Sequence, residues 1–201
     1  LWAYERGLFP WPISKEWPLA WFSPDPRGVL FFQHFHPSRR LIRELKKNHF
    51  EARINTCFEK VLEGCTRNPQ RHESWITPAL KKGLVALHHQ GYCYSIEVFK
   101  HGQLAGGLYG MNINSFVSGE SMFYLQPNAS KFALIFLMEY LQQKGIDWID
   151  TQMTTPVVRA MGGHEISRRD FLLLAQTRLK CSDKGAIFPP AELRQQNQFL
   201  L

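Results

Sequence analysis

No stretch of this 201-residue chain reaches the roughly 18 uninterrupted apolar residues of a membrane span, so none is read as transmembrane. Its first segment, LWAYERGLFPW, has no basic stretch followed by a long apolar one. It is therefore not read as a secretory signal, and it resembles the interior of a longer protein. The four cysteines, Cys57, Cys65, Cys93 and Cys181, form no CxxC pair, which argues against a zinc site and a disulfide framework. Reduced thiols in a cytoplasmic protein are the expectation. Eight histidines contain no HExxH, and adjacent His88 and His89 have no matched acid, so no metal is expected. A phosphate loop opening a helix is also missing. Gly106, Gly107 and Gly110 in GGLYG lie inside a run of strand formers, where glycine permits a bulge or a close backbone approach. There are no internal repeats and no low-complexity tract.

What is present suits a packed enzyme or binding domain. Apolar residues make up 44% of the chain and charged residues 20%, enough for one core with a small additional lobe. The net charge of +7 favours anionic partners, nucleic acid first among them. That charge is concentrated. Arg39, Arg43, Lys46 and Lys47 recur on one helical face, opposite a stripe of Leu41, Ile42 and Leu45, with Ser38 placed as N-cap. A solvated helix face is the ordinary meaning of such a run, but the overall charge favours contact with RNA.

Residues 1–36 hold Pro10, Pro12, Pro18, Pro24 and Pro26, which forbid a long helix and predict turns with short strands, GVLFF among them. This segment is read as an N-terminal lobe, and residues 37–201 as a catalytic domain. Thr56 and Glu59 have capping-box spacing, and Thr77 with Pro78 opens a further helix that Gly91 ends. CYSIEVF, LAGGLYGMNI and SFVSGESMFYL then predict an antiparallel meander joined by hairpin-length turns. A helix follows, apolar on nearly every side, with Asn128 as its cap. After a strand through Ile149, a last helix RRDFLLLAQTRLK is capped by Ser167. The expected class is α/β (α+β): a mixed sheet with flanking helices. The strand ends in Asp150 and Gln152, which strand parity places on one face. A polar strand end is the commonest meaning of such a pair; a substrate site at the sheet mouth is the alternative.

In order along the chain, YERGLFPW, WFSPDPR, EGC, WIT, YSIEVF, GGLYG, GESMF, NASK, IDTQ and RRDF resemble the leucyl/phenylalanyl-tRNA–protein transferase family over residues 3–174. The resemblance implies an acyl-CoA N-acyltransferase-like core and a short segment ahead of residue 1. It implies transfer of Leu or Phe from charged tRNA to the N-terminal α-amine of proteins beginning with a basic residue, which marks them for degradation. An aminoacyl ester is already activated, so no cofactor is expected and the protein must mainly align amine and ester. By the same resemblance, Asp150, Gln152 and Glu120 are the catalytic group. Trp11, Trp75, Leu108, Val117 and Gly119 bind the aminoacyl-adenosine end, with the tryptophans stacking on adenine. Arg39, Arg43, Lys46 and Lys47 hold the acceptor stem. Gln152 has no useful basicity and is a positioning group. A monomer is expected.

The departures bear on specificity. Leu108 and Val117 stand where the family carries Met and Phe, and MTTPVVRAMGGHEI replaces a loop usually containing Asn and His. An arginyl variant of the reaction is one alternative. Others are an acetyl-CoA-dependent N-acetyltransferase, for which YLQPNASK is a weak phosphate turn, and a non-catalytic RNA-binding module.

Overall fold

Prolines leave the first segment only short extended pieces. β1 (Phe9–Trp11) and β2 (Ala20–Phe22) form a two-stranded antiparallel ribbon with Phe9 opposite Phe22. The structure, a computed structural model, describes residues 1–11, 19–67, 76–181 and 187–188. β3 (Arg27–Phe31) follows the SPDP turn. In α1 (Arg39–Asn48) the hydroxyl of Ser38 accepts from Leu41 N–H at 3.2 Å, so the predicted cap is made. Next come β4 (Glu51–Ile54), α2 (Phe58–Thr66) and α3 (Pro78–His89), the last with Thr77 as side-chain cap and Gly91 just beyond its end. The meander is β5 (Cys93–Lys100), β6 (Gln103–Ile113) and β7 (Phe116–Tyr124). The chain then runs through α4 (Ala129–Gln143), β8 (Trp148–Gln152), α5 (Pro156–Ala160), β9 (His164–Ile166) and α6 (Arg168–Lys180), whose cap is Ser167.

Seven strands make one mixed sheet in the order β4-β5-β6-β7-β8-β3-β9. All neighbours are antiparallel except β7 and β8, which run parallel and meet at a single bridged pair, Ser118 opposite Asp150. Alternation along β5 separates the two faces. Tyr94, Ile96 and Val98 join the core under α4, while Cys93 belongs to the core shared with α2 and α3. α4 is buried on most of its circumference, as its unbroken apolar run requires. Phe171 and Ala175 of α6 close a third, smaller core against Val29, Phe116 and Trp148.

Two predicted caps are replaced by longer-range contacts. Thr56 does not cap α2; its N–H and hydroxyl both donate to the buried Glu97 carboxylate, at 3.0 and 2.7 Å. Burial pushes the Glu97 carboxyl above its usual range. Asn128 occupies the cap position of α4 but has left-handed backbone and no side-chain cap bond. Its amide instead donates to Glu44 of α1 at 3.0 Å, and its oxygen accepts from Lys131 at 3.2 Å. Local spacing identified the helix ends, and tertiary partners then took the side chains. β4, α5 and β9 are too short to carry a periodic signal in the sequence.

Gly110 shows what the strand glycines are for. The β6–β7 register shifts beside it, and a Cβ there would collide with the Ser118 carbonyl oxygen. Gly110→Ala is expected to lower stability by about 3 kcal/mol, the upper end for overpacking. A thermal midpoint equal to that of the parent would show that the strand can shift aside.

Candidate active site

A single bridge cannot hold β7 and β8 together along their length, so beyond Ser118 and Asp150 the two strands part. A pocket of about 120 Å³ opens there, walled by Leu108 of β6, Leu134 and Leu137 of α4, and Ile149 of β8. Met153, Thr155 and Val158 close its far side, so the departing loop is itself a wall of the pocket. The lining is apolar except for Glu120, Ser121, Thr151 and Thr155.

Glu120 is the only acid on that wall among the described residues. The hydroxyl of Ser118 donates to its Oε1 at 2.8 Å, and no cation pairs with it among the described residues. The carboxylate is enclosed even though the residue keeps some surface at the pocket edge. Burial raises its pKa, and the nearby charge of Asp150 adds to the rise; Ser118, Gln152 and Tyr4 oppose it. Tyr4 Oη and Gln152 Nε2 both face this carboxylate, but neither meets it with good hydrogen-bond geometry. Both atoms are buried and unsatisfied, which is costly unless a substrate group completes them.

Asp150 lies in a different setting. Arg27 grips it with both prongs of the guanidinium, Nε to Oδ1 at 2.8 Å and Nη2 to Oδ2 at 2.6 Å, with both side chains 1% exposed. Both oxygens of this carboxylate are thus engaged by the guanidinium. Oδ1 also accepts the Gln152 N–H at 2.9 Å.

Strand parity alone does not set the direction of Gln152 relative to Asp150. The β3–β8 register slips at Gly28 and Val29, which face Gln152 and Asp150, so β8 carries one extra residue. Gln152 then has φ 63°, and Met153 N–H donates to the Thr151 carbonyl at 2.6 Å, closing a γ-turn around Gln152. The bulge and the turn, rather than strand alternation, aim the amide.

Of the other expected residues, Leu108 and Gly119 line the pocket, whereas Val117 lies in the main core and is not on the pocket wall. Trp11 is half-buried, edge-on to Phe9 at 6.0 Å. Trp75 lies outside the described residues. Arg39, Arg43, Lys46 and Lys47 are all exposed on α1. Sequence reading passed over Arg27, Tyr4 and Ser118. Arg27 had left a signal, because it shares strand parity with Val29 and Phe31, and a charge on an apolar face demands a buried partner.

A family model described as leucyl/phenylalanyl-tRNA protein transferase matches residues 29–176. The leucyl/phenylalanyl-tRNA–protein transferase of Azoarcus sp. strain BH72 is 44% identical over 171 residues, covering 84% of this chain and 72% of its own length. That of Lawsonia intracellularis is 41% identical over 172 residues, covering 85% of this chain and 75% of its own length. That of Shewanella pealeana is 41% identical over 178 residues, covering 88% and 75%. With a matching family model and such identities across most of its length, this chain belongs to the leucyl/phenylalanyl-tRNA–protein transferase family.

Proposed function

We propose that this chain transfers Leu or Phe from charged tRNA to the N-terminal α-amine of acceptor proteins that begin with a basic residue, marking them for degradation. It acts in the cytoplasm as a monomer and without a cofactor. The observation that carries this reading is an apolar pocket bordered by one buried carboxylate that lacks a cation among the described residues. The aminoacyl side chain enters the pocket between Leu108, Leu134 and Ile149. The acceptor amine meets Glu120, whose raised pKa suits it to hold the ammonium and then take its proton. The amine nitrogen attacks the ester carbonyl, a C–N bond forms, and the C–O bond to the terminal ribose breaks. The ribose oxygen leaves with a proton. Gln152 Nε2 and Tyr4 Oη are donors without partners beside this path, suited to orient the reacting groups.

In this reading the N-terminal residues ahead of β3, which is itself a strand of the main sheet, bring Tyr4 and Trp11 onto the catalytic body. Trp11 and Trp75 stack on the terminal adenosine. The deciding assay supplies one acceptor peptide with Phe-, Leu- or Arg-tRNA. Both apolar amino acids are expected to be transferred, with Phe favoured. Arg is expected to be slower on the order of 100-fold, because a guanidinium in this pocket has a single acid within reach. Arg transfer as fast as Phe transfer would reverse the assignment of specificity.

The basic face of α1 supplies affinity for tRNA in this reading. Arg39, Arg43, Lys46 and Lys47 are exposed, and Asn128 ties the helix to the start of α4 through Glu44. Arg39→Ala with Arg43→Ala is expected to weaken every charged tRNA alike. The slope of log K against log salt should fall by roughly 0.7–0.9 per lost phosphate contact. Turnover with a minimal aminoacyl-adenosine donor should barely change. An unchanged slope would return these residues to an ordinary solvated face.

A further inference from the structure

We propose that Arg27 is a positioning residue of the transfer reaction, holding the reactive end of β8 in shape through Asp150 although it lies outside the pocket. The proposal rests on the function inferred above. Its starting point is the backbone of Gln152, a non-glycine residue at φ 63° in a γ-turn. Such a conformation is sparsely populated and persists only where the surroundings over-determine it.

The surroundings here converge on one guanidinium. The two prongs fix the plane of the Asp150 carboxylate, and Oδ1 of that carboxylate accepts the Gln152 N–H at 2.9 Å. The remaining nitrogen, Nη1, donates to the Gly7 carbonyl at 2.9 Å, and Gly7 N–H closes the turn that carries Tyr4. The flat cation lies 4.8 Å from the Phe9 ring centre and 4.2 Å from that of Phe171. Beside it, a Cβ on Gly28 would lie 2.6 Å from the Met153 carbonyl carbon, so the chain leaving Gln152 passes directly over this strand.

Arg27 therefore joins the two segments that present unsatisfied donors to Glu120: the N-terminal turn with Tyr4, and the β8 end with Gln152. A lysine would supply the charge but not the two parallel bonds that set the carboxylate plane. The structure thus assigns geometry, rather than bulk stability, as the contribution of the fork.

The test compares the parent with Arg27→Lys and with the paired Arg27→Met/Asp150→Leu, which removes both charges together. Thermal midpoint, Kd for Phe-tRNA, kcat and KM for an acceptor peptide, and exchange of the Gln152 amide proton are measured. Arg27→Lys is expected to fold and to bind Phe-tRNA as the parent does. Its kcat should fall roughly 100-fold, the effect of a small misplacement of reacting groups, and its Gln152 amide should exchange at least about tenfold faster. The paired variant is expected to be as stable as the parent, since apolar replacement of a buried ion pair is often neutral or stabilising, and to show the same loss of kcat. A kcat within about twofold of the parent in either folded variant overturns the proposal; should the paired variant not fold, Arg27→Lys alone decides. A parent that transfers neither Leu nor Phe defeats the functional reading instead. In that case the Gln152 amide still decides, since unchanged exchange in Arg27→Lys overturns the positioning role.

Discussion

Asp150→Asn is expected to destabilise the fold by about 3–5 kcal/mol, the usual consequence of removing one partner from a buried ion pair. Considered by itself the exchange looks harmless, because Asn matches Asp in volume. Arg27 changes that judgement. Its guanidinium is 1% exposed, and in the variant its acceptors are all neutral: the Gly7 carbonyl, the single Asn amide oxygen and two aromatic ring faces. Neither ring compensates a full charge taken out of water. The thermal midpoint should fall by about 6–20 °C, at roughly 2–4 °C per kcal/mol for a domain of this size. Transfer should be lost in parallel, because one amide oxygen cannot serve both prongs of Arg27 and the Gln152 N–H. A midpoint within a few degrees of the parent would mean that water reaches Arg27 and that the clamp is weaker than its geometry implies.

Glu120→Gln should act in the opposite direction on stability while abolishing function. Burial, assisted by the Asp150 charge, raises the folded pKa of Glu120 above its usual value of 4.5. The folded state therefore holds the proton more tightly than the unfolded chain does. Stability is lost as pH rises from the unfolded value through the folded one, and the full penalty is present above both. Glutamine carries no such penalty, and its carbonyl still accepts from Ser118. Glu120→Gln is thus expected to melt above the parent at pH 7, with the difference closing near pH 4.5. Transfer at saturating tRNA and peptide should fall roughly 100-fold or more, the scale of a lost general base. The parent rate should fall as pH drops through the raised pKa, and the residual rate of the variant should lack that limb. A variant that melts higher and transfers normally would remove Glu120 from the chemistry. One that melts lower would mean that an unseen cation pairs with it.

These two carboxylates lie on adjacent strands, and the sequence treated them alike. Residue pattern alone determined the helices that have strong caps and periodicity. Ser38, Thr77 and Ser167 each cap as predicted, because a hydroxyl at N-cap needs only its own next turn. It also determined the meander, where alternating strand formers are joined by hairpins, and the burial of α4, which is apolar on nearly every side. The motif order pointed to GESMF and IDTQ as a candidate site, and the fold brings Glu120 and Gln152 together. Pattern could not show that β3 returns between β8 and β9, since pairing 123 residues apart leaves no local trace. That return puts Arg27 on Asp150 and leaves Glu120 without a paired cation among the described residues. The β8 bulge was equally invisible, and with one extra residue strand parity no longer sets the direction of Gln152. Local spacing fixes what a segment can become. Which of the two carboxylates borders the pocket without a paired cation among the described residues depends on where the fold places Arg27.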